Sequence, residues 1–188
     1  MRLFVGIALS VEVRSELDRI VARMKPKLAG WRWSQPNSWH ITLQFLGNAG
    51  SAQYDPLLTA LRNVRSPAVP IQLGGLDFFD HAGVFFADVA VSPQLAGLQR
   101  KVVAATDRCG FIAETRPYHP HITLARLKGG VRGAALRELR AKLPERQRFS
   151  AFTANEFLLY ESFLGPGGSR YEVRERFCLG PAIQNALP

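Results

Sequence analysis

The chain has 188 residues, 47% of them hydrophobic, and a formal charge of +9 from 24 Lys and Arg against 15 Asp and Glu. This size and composition suit one domain or two tightly joined lobes with a real core. No apolar run approaches the roughly 18 residues of a membrane span, and Cys109 and Cys178 form neither a metal spacing nor a disulfide framework.

Leu3 to Ala8 reads as a buried strand. Met1-Arg2 followed by Leu3–Leu9 has a faint likeness to a signal peptide, but the run is short, lacks a small-residue cleavage site and leads into a charged amphipathic segment. Ser10 is the N-cap of a helix predicted over Val11–Lys27, with Val13, Leu17, Ile20, Val21 and Met24 at helical spacing. Trp31 to Pro36 reads as a turn-rich connection. A strand over His40–Leu46 ends at Gly47-Asn48, and a short helix follows over Asp55–Val64. Strands over Ile71–Phe79 and Val84–Val91 are joined by a turn containing His81 and Gly83. A helix over Gln94–Arg108 stops at Gly110. After the loop Arg116–Pro120 comes a strand over His121–Ala125, then Gly129-Gly130 and a helix over Ala134–Leu143. Strands over Phe152–Phe163 and Tyr171–Cys178 flank the turn Gly165-Pro166-Gly167-Gly168.

One tetrapeptide occurs twice, as His40-Ile41-Thr42-Leu43 and His121-Ile122-Thr123-Leu124, 81 residues apart (121 − 40). The same shift carries Leu3-Phe4-Val5 onto Val84-Phe85-Phe86, and Leu76–Asp80 onto Phe157–Glu161. A repeat at one offset sets the architecture. The expected fold is α+β: a single bilobal domain over 1–188, built from pseudo-twofold duplicated lobes. Each lobe is a mainly antiparallel sheet backed by helices, and a central cleft lies between them.

In a strand, residues i and i+2 share a face. Each His therefore stands beside its Thr while Ile and Leu turn to the core. An imidazole titrates near pH 6.5, so one neutral and one protonated ring can coexist at neutral pH. A 2′,3′-cyclic phosphate needs that pair. One ring activates water and the other protonates the departing ribose oxygen on the opposite side of phosphorus. Thr42 and Thr123 would donate to the non-bridging oxygens. Arg126, just past the second strand, can clamp phosphate. Phe45, Tyr118 and Tyr160 are candidates to stack on a base.

The basic surface favours polyanions such as RNA. His119 and His121 form H-x-H and with His40 resemble a zinc or copper set, but Pro120 constrains the backbone between them and no carboxylate or cysteine set accompanies them. The sequence has no G-x-x-x-x-G-K-[ST] loop, no G-x-G-x-x-G and no G-x-S-x-G. The expected chemistry uses no cofactor and no metal.

Around these motifs the chain resembles the 2H phosphoesterases, and more closely the RNA 2′,3′-cyclic phosphodiesterases, also called 2′-5′ RNA ligases. The matching stretches are Met1–Val5, His40–Gly47, Arg116–Tyr118, Pro120–Arg126, Leu159–Ser162 and Gly167–Val173. The resemblance implies a V-shaped cleft and hydrolysis of an RNA terminal 2′,3′-cyclic phosphate to a 2′-phosphomonoester. It makes His40 the proton donor to the leaving 3′-oxygen and His121 the acceptor that activates water. It also implies reversible, ATP-independent 2′-5′ joining of RNA ends. Trp39 and His119 depart from the usual pattern and bear on substrate preference and ring pKa. The expected partners are RNA fragments such as tRNA halves ending in a cyclic phosphate, with small cyclic nucleotides or cyclic ADP-ribose phosphates as the alternative substrates and a non-catalytic RNA-binding module as the alternative role. A monomeric, cytoplasmic protein without membrane contact is expected.

Overall fold

The computed structural model describes every residue except 29, 80–81, 128–138, 142, 144–146, 166–167 and 181–188. The expected helix over 134–143 and the turns at His81 and Gly165–Gly168 lie wholly or partly outside the described residues. Among the described residues no helix is long and apolar enough to cross a membrane.

The strands are β1 (Arg2–Ala8), β2 (Trp31–Trp33), β3 (His40–Asn48), β4 (Val69–Ile71), β5 (Leu73–Phe79), β6 (Val84–Val89), β7 (His121–Leu127), β8 (Phe152–Ala154), β9 (Glu156–Gly165) and β10 (Gly168–Cys178). Helices α1 (Val11–Met24), α2 (Ser51–Arg62) and α3 (Pro93–Asp107) accompany them. Two four-stranded antiparallel sheets run β10-β9-β1-β3 and β2-β7-β6-β5, and β4 pairs with β8. The α+β expectation holds.

Helix α1 begins where Ser10 accepts a hydrogen bond from Val13 N–H at 3.3 Å. It buries Val13, Leu17, Ile20, Val21 and Met24, each such burial contributing about 1.5–3 kcal/mol. Ser92 caps α3 in the same way, through Leu95 N–H at 3.1 Å, with Pro93 in the first turn. Helix α2 starts four residues earlier than its sequence suggests. Pro56 looks like a helix start but lies inside, and the Gln53 side chain accepts from Gly50 N–H at 3.1 Å to close the true N-terminus. Residues 31–33 form a strand where a turn was expected. Trp31 packs on Phe78 and Phe85, Trp33 packs on Phe85, and together they hold β2 on β7.

The two sheets share a three-strand pattern. Phe4 pairs with Phe45 on one side and Tyr160 on the other; Val84 pairs with Arg126 and Phe79. The motif strands and the outer strands are thus related by 81 residues (126 − 45; 160 − 79), but the central strands by 80 (84 − 4). The alignment of Leu3-Phe4-Val5 with Val84-Phe85-Phe86 is therefore one residue out of register. In a strand that slip moves every side chain to the other face. The outer strands are also exchanged: β5, from the first half of the chain, pairs with β6, while β9, from the second half, pairs with β1.

Candidate active site

Strands β3 and β7 carry the repeated motifs and approach each other between the sheets. Their first seven residues share one burial pattern: half-buried His and Thr, buried Ile, then two successive buried residues. The break in alternation has a cause. Between Thr42 and Gln44 the pairing to β1 skips Leu43, and between Thr123 and Ala125 the pairing to β6 skips Leu124. Alternation alone puts Leu43 and Leu124 on the core side with Ile41 and Ile122; the bulges let Gln44 and Ala125 be buried as well and leave Phe45 and Arg126 exposed. Gly6 makes the first bulge possible: a Cβ there would lie 2.8 Å from the Ile41 carbonyl oxygen.

Both imidazoles are anchored alike. His40 Nδ1–H donates to the Ser38 carbonyl at 2.8 Å, and His121 Nδ1–H donates to the His119 carbonyl at 2.8 Å. A carbonyl oxygen only accepts, so Nδ1 carries the proton in each ring. Nε2 is then the atom left for proton transfer. Burial lowers the pKa of both. His40 falls to about 4, mainly from burial and further through the charges of His121 and Arg126. His121 is lowered by burial, by His119 and by Arg126, against the opposing pull of its Nδ1 hydrogen bond and of Asp88. In the free protein at neutral pH both rings are neutral. This differs from the expectation of a ready-made neutral and protonated pair; an anion placed beside either ring would raise its pKa and favour the protonated form.

A cavity of about 800 Å³ opens here, lined by Thr42, Phe45, Tyr118, His121 and Arg126 among others. Arg126 and Phe45 occupy equivalent positions of the two motif strands, and both are exposed on the rim. Thr123 is half-buried at the position equivalent to Thr42 and pairs with Phe86. Tyr118 donates its hydroxyl to the Thr42 carbonyl at 3.1 Å. Burial raises its pKa, so it stays protonated and tethers β3 to the loop before β7. Tyr160 is not available to a base: it is 8% exposed and stacked on Phe4 at 4.8 Å. It belongs to an aromatic wall, with Phe4 and Tyr171, around His40.

Two features escape the sequence reading. Asp88 accepts from His119 Nε2–H at 3.0 Å, which steadies the segment whose carbonyl anchors His121. Asp88 pairs with His121 across the sheet, a relation that only the corrected register reveals. Phe79 and Phe86 stack at 4.0 Å and both present edges to His121. Among the described residues no group of three His, Cys, Asp or Glu side chains is placed to hold a metal ion.

The family model of the 2′-5′ RNA ligase superfamily matches residues 9–162. The RNA 2′,3′-cyclic phosphodiesterase of Aquifex aeolicus is 29% identical over 187 residues, covering 96% of this chain and 98% of that protein. The protein of the same name from Geobacillus stearothermophilus is 29% identical over 167 residues, or 85% of this chain; here the chain spans 51% of the relative's length. The crystal structure of E. coli LigT complexed with 3′-AMP matches with a TM-score of 0.79 and 25% identity, over 95% of this chain and 97% of that one.

Proposed function

The chain belongs to the 2′-5′ RNA ligase superfamily, and on that premise we propose that it hydrolyses the 2′,3′-cyclic phosphate at the end of an RNA to a 2′-phosphomonoester. The observation that carries this reading is the matched anchoring of His40 and His121 through Nδ1–H, which leaves one Nε2 on each motif strand for a phosphate between them.

The cyclic phosphate brings a negative charge to two neutral imidazoles and a guanidinium. Its charge raises the pKa of the adjacent rings, so that one takes up a proton. His40 Nε2–H gives that proton to the 3′-oxygen as the P–O3′ bond breaks. His121 Nε2 takes a proton from the water whose oxygen attacks phosphorus on the opposite side. The attacking water supplies the new oxygen on phosphorus, and the ester to O2′ is kept. One imidazole gains the proton the other loses, so the next cycle needs only proton exchange with solvent. The hydroxyls of Thr42 and Thr123 hold the non-bridging oxygens, and Arg126 offsets the charge that builds on them. With an RNA 5′-hydroxyl in place of water, His121 takes the proton of that hydroxyl as its oxygen attacks phosphorus and His40 again protonates the departing 3′-oxygen, which joins the ends through a 2′-5′ bond without ATP; the two rings exchange roles only when that bond is cleaved back to the cyclic phosphate.

The charge of +9 favours a polyanion such as RNA over a small cyclic nucleotide, which carries fewer phosphates. Residues 1–188 act as one bilobal catalytic unit, with both halves of the site on a single polypeptide and no need of a second copy. The test is incubation with an RNA ending in a 2′,3′-cyclic phosphate, with EDTA and without ATP, followed by mapping of the product end. A 2′-phosphate is expected. A 3′-phosphate would contradict the assignment of the leaving oxygen, and turnover confined to free cyclic mononucleotides would move the substrate to the small-molecule class.

A further inference from the structure

A second, smaller pocket, of about 180 Å³, is lined by residues that the large cavity does not share, His40 among them. His40 forms one wall. Arg14 of α1 and Arg176 of β10 border it, together with Trp39, Tyr160 and Tyr171. Its lining includes no carboxylate among the described residues. Burial keeps the Tyr160 hydroxyl protonated, with a pKa pushed up to about 12; the charges of Arg176 and Arg14 act on it to lower that value and the charge of Glu156 to raise it. The polar groups here are rich in donors: two guanidinium groups, two phenols and an indole N–H, beside the Asn37 amide and the Ser38 hydroxyl, which donate and accept.

These donors are short of acceptors. Among the described residues Arg14 reaches the Leu9 carbonyl alone, at 3.4 Å, and its Nε is buried without a partner. Trp39 is 3% exposed, and its indole N–H also lacks an acceptor. Arg176 is held at 2.5 Å by Glu156, leaving part of its fork uncommitted. A buried donor without an acceptor costs about 1–3 kcal/mol. A donor-rich, cation-bordered pocket of this size fits one phosphate group better than a base.

The position of the pocket says which phosphate. If His40 protonates the leaving 3′-oxygen, the ribose lies on the His40 side of the reacting phosphorus. The pocket shares His40 and not His121, so a phosphate held by Arg14 and Arg176 belongs to the ribose side of the reacting phosphorus. We propose that this pocket binds the phosphodiester joining the cyclic-phosphate nucleotide to the rest of the RNA. This inference rests on the cyclic phosphodiesterase reading and adds what that reading lacks: a contact by which a polymer end is told from a mononucleotide.

The test compares two dinucleotides ending in a 2′,3′-cyclic phosphate, one joined by a phosphodiester and the other by an uncharged methylphosphonate. In the unaltered protein kcat/KM should favour the phosphodiester by at least about tenfold, as charge-assisted hydrogen bonds in a half-buried site do. In Arg14→Gln the ratio should fall toward one. Arg176→Gln changes an exposed side chain, and it should lower the ratio several-fold. A ratio near one in the unaltered protein, or a ratio that neither variant changes, would overturn the proposal. Affinity for the matching dinucleotides ending in a 2′-phosphate needs no turnover. A linkage-dependent affinity that Arg14→Gln abolishes, alongside an uncleaved cyclic end, would refute the phosphodiesterase reading and leave the pocket standing; equal affinities would refute the pocket alone.

Discussion

The two imidazoles are held by the same backbone device but sit in different company. His40 is ringed by Phe4, Tyr160 and Tyr171, and this apolar enclosure drives its pKa down to about 4. His121 has an equally apolar side in Phe79 and Phe86, but the His119–Asp88 pair lies on its other flank. Asp88 partly opposes the effect of burial there. On the proposed mechanism, a repeat that keeps the anchor and varies the surroundings makes two proton-transfer groups of one motif. The shared part fixes which nitrogen works, and the part that differs sets how readily each nitrogen holds a proton.

The largest expected effect removes the shared part. His40→Ala and His121→Ala should each lower kcat by about 10²–10⁴-fold. Because the rings act as a unit, the double variant should lose little more than either single one; fully multiplicative losses in steady-state kinetics would separate them. Next comes the unequal register. Gly6 and Phe86 face Thr42 and Thr123 in the two sheets, yet a methyl on Gly6 would meet the Ile41 carbonyl. Gly6→Ala should therefore cost about 1–3 kcal/mol in denaturant unfolding and, by displacing His40, up to about 10²-fold in kcat.

A smaller effect is on pH dependence. Both free-protein imidazoles titrate below 6.5, so kcat/KM should peak on the acid side of that value. A maximum above pH 7.5 would show that burial does not set their basicity. Asp88→Asn removes the charge that raises His121, so the limb belonging to His121 should move to lower pH and the other limb should stay. Stability carries the same signature. The native state binds the His40 proton more weakly than the unfolded chain does, so stability should fall as pH drops from 6.5 toward 4. In His40→Gln that part of the slope should vanish from pH-dependent melting. The smallest effect is Tyr118→Phe, which removes the bond to the Thr42 carbonyl and should cost about 1 kcal/mol in stability with a several-fold loss of kcat.

Much of this site was legible in the sequence because the signal was local. The i, i+2 spacing put His and Thr on one face, and the copies at 81 residues placed both motifs on equivalent strands. What was not legible depends on pairing. The bulges at Leu43 and Leu124 consume a residue without a marker in composition, and the 80-residue relation of the central strands follows from how they pair. Asp88 and Gly6 became meaningful only once that register was known. The exchange of β5 and β9 between sheets is a matter of long-range topology, and the repeat alone is silent on it. Tyr160 misled for a simpler reason: an aromatic near a motif reads the same whether it faces a ligand or, as here, lies flat on Phe4.

The division of labour between the two rings is tested most directly by a substrate that needs no acid. A cyclic end with sulfur in place of the 3′-bridging oxygen leaves as a thiolate without protonation. His40→Ala should turn it over at close to the rate of the unaltered protein, and His121→Ala should remain inactive on it. Rescue of His121→Ala in place of His40→Ala would reverse the roles, and rescue of neither would contradict the assignment of His40 as the proton donor.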